Sequence, residues 1–160
     1  MTATRTPAAR SKGATSALRL VPLREGMFKM PRSMNGKPRL LGQRCTSCGE
    51  QFSNQREFCA NCCQPTLENV MFGTTGEITT YTTVRQQLPG ALIEAPYVIA
   101  RVRLDEGVSV QTILSEIEPD DVEIGMKVVS CLKQVTEDDS GNAVVNSFFK
   151  PANKRRRARA

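Results

Sequence analysis

Four cysteines arranged as two C-x2-C pairs, Cys45-Thr46-Ser47-Cys48 and Cys59-Ala60-Asn61-Cys62, stand ten residues apart. No other feature constrains the fold as strongly. Each pair curls the backbone into a turn that aims two thiolates at one point. Two such turns complete a tetrahedron around a zinc ion at Zn–S distances of about 2.3 Å. A site filled by four protein thiolates leaves no open position for water or substrate, so the metal would hold the fold and perform no chemistry. The spacing therefore predicts a structural zinc on Cys45, Cys48, Cys59 and Cys62.

Disulfides are the competing use of these thiols. Residues 1–20 lack the apolar stretch of about seven residues that marks a secretory signal, so a cytoplasmic setting is expected, and there paired C-x2-C motifs serve as metal sites. A redox C-x2-C belongs beside a βαβ pattern, which is absent from the sequence around these pairs. Cys63 follows Cys62 directly and competes with it as a ligand, but only Cys62 reproduces the spacing of the first pair. Cys131 lies in the apolar run Val128-Val129-Ser130-Cys131-Leu132 and reads as a small packed hydrophobe.

The formal net charge of +6 is unevenly spread. Residues 1–39 hold nine Lys/Arg and one acid, residues 150–160 hold six Lys/Arg and none, and residues 40–149 hold seven against fifteen acids. An acidic centre repels a phosphate backbone, so affinity for polyanions would sit in the ends. No apolar run approaches the roughly 18 residues of a membrane-spanning helix.

Residues 1–19, rich in Ala, Thr, Ser and Arg, are expected to form a disordered leader. Residues 20–38 form an arm in which Pro22, Pro31 and Pro38 permit at most a short helix around Arg24–Met30. A rubredoxin-like zinc ribbon is expected over 39–70. Leu40–Arg44 would lead into the first knuckle and Gln51-Phe52 out of it, with Phe52 and Phe58 beside the metal.

From residue 71 to 150 the pattern changes. Ile78–Arg85 is β-branched and aromatic, Tyr97–Leu104 alternates towards its end with Ala100, Val102 and Leu104 on one face and Arg101 and Arg103 on the other, and Asp105-Glu106-Gly107 turns the chain into Val108–Leu114. Glu118–Gly125 reads as a helical turn, and Met126–Val135 and Ala143–Phe149 are two further strands. Five strands with a short helical connection between the third and fourth point to a closed OB-fold barrel, with a β-sandwich as the alternative, so the fold class is mainly β. Residues 151–160 read as a basic disordered tail.

The chain has no histidine, which removes the commonest general base. It also lacks a G-x-S-x-G, a Walker loop and a dinucleotide fingerprint. Thr79, Thr80, Thr82 and Thr83 read as strand formers rather than nucleophiles. The acid pairs Asp105/Glu106 and Asp120/Asp121 read as solvated turns. No independent enzymatic activity is expected.

Gly42-Gln43-Arg44-Cys45-Thr46-Ser47-Cys48-Gly49-Glu50 with Arg56-Glu57-Phe58-Cys59-Ala60-Asn61-Cys62 resembles the ribbon half of a bacterial and archaeal family of zinc-ribbon plus OB-fold proteins. The barrel segments Gly76–Thr82, Pro96–Ala100, Leu104–Val108 and Ile124–Val128 are similar in order and spacing. Cys63 and Ala60 depart from the usual second knuckle. The resemblance implies an accessory subunit of an enzyme acting on acyl-CoA thioesters, above all a thiolase or thiolase-like ketosynthase, in some members a hydratase or aldolase. It implies a hetero-oligomer with a thiolase-like catalytic subunit, in which this chain supports assembly and helps shape the channel for the CoA arm. The arm from Pro22 to Phe28 is similar to members paired with thiolases of aromatic-compound breakdown. Any direct contact with the CoA phosphates would draw on Arg85, Arg101 and Arg103. The competing class is a module for single-stranded nucleic acid, since OB barrels and zinc ribbons both serve that purpose.

Overall fold

The computed structural model describes residues 19–153. The expected leader, apart from Arg19, and residues 154–160 of the expected tail lie outside the described residues. Ten strands run from β1 (Leu20–Pro22) to β10 (Ala143–Pro151), and the only helical element among the described residues is a 3-10 turn at Pro119–Asp121.

The barrel comprises β6 (Thr75–Val84), β7 (Tyr97–Leu104), β8 (Ser109–Ile113), β9 (Lys127–Glu137) and β10. Strand β6 pairs antiparallel with both β7 and β9, β7 with β8, and β9 with β10. A parallel bridge from Leu114 to Phe149 closes the circuit, and the Ser115 N–H donates to the Phe149 carbonyl at 2.8 Å. Strand β8 itself pairs with β7 alone, so this contact just beyond its end is what joins the two sides of the barrel. Along β7 the alternation sends Val98, Ala100, Val102 and Leu104 inward and Arg101 and Arg103 outward. These four meet Ile78, Val128 and Phe149 in the core.

The ribbon is built on β3 (Arg39–Cys45), which pairs with β2 (Phe28–Lys29), β4 (Gln51–Phe52) and β5 (Leu67–Met71). The next residue, Phe72, is buried in the barrel core and ties one half to the other. Beyond it the chain makes close contacts with the β7–β8 turn. The Gly73 N–H donates to Glu106 Oε1 at 2.5 Å, and the Thr75 hydroxyl donates to the Asp105 carboxylate. A Cβ at Gly73 would lie 2.8 Å from that Glu106 oxygen, so a larger residue there would push the exposed Glu106 carboxylate aside. The two acids are exposed turn residues, as read, but they also latch the junction.

The arm departs from expectation. Residues 24–30 form no helix; Gly26 adopts φ 77°, and the chain turns there between β1 and β2. Strand β1 lies parallel to β10, and β2 pairs with β3. A single helical turn carries a high nucleation cost. Here the extended form instead places Phe28 in a cluster with Leu132, Ala143 and Val145, with Leu20, Met30 and Leu40 packed against it.

Candidate functional site

Both knuckles are built by the same two backbone hydrogen bonds. In the first, the Gly49 N–H donates to the Cys45 carbonyl at 2.9 Å and the Cys45 N–H to the Glu50 carbonyl at 2.8 Å. In the second, the Cys63 N–H donates to the Cys59 carbonyl and the Cys59 N–H to the Gln64 carbonyl, each at 2.9 Å. The residue after the second cysteine must be left-handed. Gly49 takes φ 80° and Cys63 takes φ 58° at the matching place. Cys63 thus occupies the glycine position of its knuckle and is exposed.

The Sγ atoms of Cys45, Cys48, Cys59 and Cys62 all lie within 4.8 Å of one another. Cys45 and Cys62, and likewise Cys48 and Cys59, approach to 3.5 Å. The edge of a ZnS4 tetrahedron is about 3.8 Å, whereas a disulfide needs about 2.05 Å. The four thiols therefore fit a dication and are unbonded to each other.

The local electrostatics agree. Burial opposes ionisation of Cys45, but the backbone N–H groups of Cys48 and Ser47 and the side chains of Thr66 and Cys62 outweigh it and lower its pKa to about 6. At Cys62 the Gln64 backbone favours the thiolate, while burial and the three neighbouring sulfurs push the pKa up to about 12. One thiolate thus opposes the next, a conflict that a bound cation resolves. Thr66 accounts for much of the surroundings. Its hydroxyl lies 2.6 Å from Ser47 Oγ and 3.7 Å from Cys45 Sγ, and the Asn61 N–H donates to Cys59 Sγ at 3.4 Å. No spacing rule marked Thr66.

Phe58 is 58% exposed. Phe52 is half-buried beneath the Arg56 guanidinium, 4.7 Å from its ring centre. The inter-knuckle loop is held by Gln43, whose buried Oε1 accepts from the Arg56 N–H at 2.6 Å. Cys131 is a buried hydrophobe with its Sγ 3.2 Å from Ser115 Oγ, and burial raises its pKa.

Arg101 and Arg103 stand two residues apart on the outer face of β7. Arg103 lies opposite Glu77, whose pKa is lowered chiefly by its hydrogen bond to Lys127 and further by Arg103. Arg85 is elsewhere. Its nearest acid is Asp120 at 3.9 Å, with both side chains largely exposed. Thr80, the partner of Arg101, is five residues from Arg85, about 17 Å of extended chain. Arg101 and Arg103 share one face of β7, and Arg85 follows the last residue of β6.

The C-terminal OB-fold domain of ChsH2 matches residues 69–133. A DUF35 domain-containing scaffold protein of Methanocaldococcus jannaschii is 32% identical over 114 residues, covering 70% of this chain and 81% of that protein. This chain belongs to the DUF35 domain-containing scaffold family. Among solved structures, the Ltp2-ChsH2(DUF35) aldolase aligns with a TM-score of 0.60 at 32% identity, over 72% of this chain and 86% of its own. A probable enoyl-CoA hydratase alpha subunit of Thermomonospora curvata is 37% identical over 91 residues, 57% of this chain but 28% of that protein. Among the described residues, no helix is long and apolar enough to cross a membrane.

Proposed function

We propose that this DUF35 protein is a non-catalytic accessory subunit of an enzyme that processes acyl-CoA thioesters, with a structural zinc held by Cys45, Cys48, Cys59 and Cys62. The observation that carries this reading is the likeness, over most of both chains, to the DUF35 component of the Ltp2-ChsH2(DUF35) aldolase. The enoyl-CoA hydratase subunit that shares this segment supports the same substrate class. The absence of histidine, together with a cysteine cluster that would close around its metal, supports a role without chemistry of its own.

The companion we assign is a thiolase-like catalytic subunit in a cytoplasmic hetero-oligomer, in which this chain supports assembly and helps shape the acyl-CoA channel. Arg101 and Arg103, two residues apart on the outer face of β7, and Arg85 after β6 are the cations to test against CoA phosphates. A single-strand-binding role is disfavoured by the acidic centre, the absence of Trp and the presence of only two Tyr.

The test is co-purification of the tagged full chain from its native cell, followed by assay of thioester-dependent C–C bond cleavage. The expected result is a catalytic companion whose activity needs both chains. Cleavage by this chain alone, or full activity of the companion without it, contradicts the proposal.

A further inference from the structure

Barrels of this class commonly recognise their ligands with the loops joining strands one to two and four to five. In this chain those are the β6–β7 loop, residues 85–96, and the β9–β10 turn. They differ in character. The second carries Asp138 and Asp139, and the Asp138 carboxylate accepts from the N–H groups of Ser140 and Asn142 at 2.9 and 2.8 Å. The first has no charged residue between Arg85 and Glu94. It presents Leu88 at 59% and Leu92 at 51% exposure, with Pro89 and Ala91 also exposed between them.

Isolated leucines on a surface need no explanation. These two are held out by a built framework. The Gln87 side chain spans the base of the loop, donating to the Ile93 carbonyl at 3.4 Å and accepting from the Ala95 N–H at 2.7 Å. The tip turns through Gly90 at φ 76°, with the Ala91 N–H on the Leu88 carbonyl at 3.1 Å. A loop fixed before binding loses less conformational entropy when it docks. A nucleic acid would require cations or stacking rings, and residues 86–93 supply neither.

We propose that the β6–β7 loop is a docking element that inserts Leu88 and Leu92 into an uncharged apolar pocket on the catalytic subunit. This rests on the accessory-subunit reading above and adds where the contact is made. The two leucines act as anchors and Gln87 as the residue that positions them.

The test titrates the companion, purified as above, with the full wild-type chain, the Leu88→Asp/Leu92→Asp double variant, Gln87→Ala, and Ile124→Asp. The last alters the large apolar residue that is most exposed among the described residues, 68%, and lies outside this loop. The double variant should bind about 30-fold more weakly or worse, the loss typical of interface anchors. Gln87→Ala should bind more weakly with Leu88 and Leu92 intact, and Ile124→Asp should bind as wild type. Unchanged metal content and exchange protection establish that each variant is folded. If the wild type binds its companion and the double variant binds equally well, this inference falls and the accessory role stands. If no acyl-CoA-processing companion exists, both fall. Binding of an oligonucleotide that the double variant abolishes also overturns the inference.

Discussion

Across residues 39–71 the buried residues are Gly42, Gln43, Cys45 and Cys59, whereas the barrel buries Ile78, Val102, Leu104, Val128 and Phe149 around one core. A ribbon with no large buried apolar side chain of its own cannot repay its ordering entropy by hydrophobic burial. The barrel can. The difference gives the proposed metal its role: four thiolates around a cation would supply in the ribbon what a dozen core side chains supply in the barrel.

The strongest challenge to this contrast is metal removal. Binding at sites of this type is worth on the order of 10 kcal/mol at neutral pH. Chelation, or Cys45→Ser with Cys59→Ser, should abolish hydrogen-exchange protection across β3 and β5 while β6–β10 keep theirs. Equal loss in both halves would show one cooperative unit, with Phe72 coupling them completely.

The reciprocal test is Phe149→Ala, expected to cost the barrel about 3–5 kcal/mol by denaturant unfolding. Metal content measured below the transition should be unchanged.

Smaller effects probe the junction and the knuckles. Asp105→Ala removes the carboxylate that accepts from Thr75 and should cost about 1 kcal/mol, read as a lower unfolding midpoint with an unchanged slope. Acid acts differently on the two halves. Hydrogen bonds from Lys127 hold the Glu77 pKa low, and those from Asn142 hold the Asp138 pKa low. Their contribution is therefore complete above the ordinary carboxylate range and is lost as pH falls through the lowered values. With the proposed zinc bound, the ribbon would lose it as the thiolates are protonated, so a pH titration should release metal before the barrel unfolds.

The smallest effect contrasts the knuckles themselves. Gly49→Ala forces a side chain into φ 80° and should cost about 1 kcal/mol. Cys63→Gly relieves the matching strain and should raise stability by about 0.5 kcal/mol.

The sequence made legible whatever is encoded by local periodicity or fixed spacing. The alternation from Ala100 to Leu104 matches the inward and outward faces of β7, and the two C-x2-C pairs converge in space. Strand β5 escaped because Glu68 and Asn69 are poor strand formers and its pairing partner, β3, lies more than twenty residues earlier. The arm strands escaped for the same reason, since β1 and β10 come together from opposite ends of the described chain. The braces Gln43, Thr66 and Gln87 carried no signal. A glutamine or threonine becomes a support only when the fold brings a partner within reach, a backbone N–H for Gln43 and Gln87 and the Ser47 hydroxyl for Thr66.

X-ray absorption at the zinc edge, on the purified full chain, tests the central claim most directly. The account predicts one zinc per chain with four sulfur neighbours at about 2.3 Å and no oxygen. A first shell containing water, or a metal-free chain whose ribbon remains protected from exchange, would contradict it.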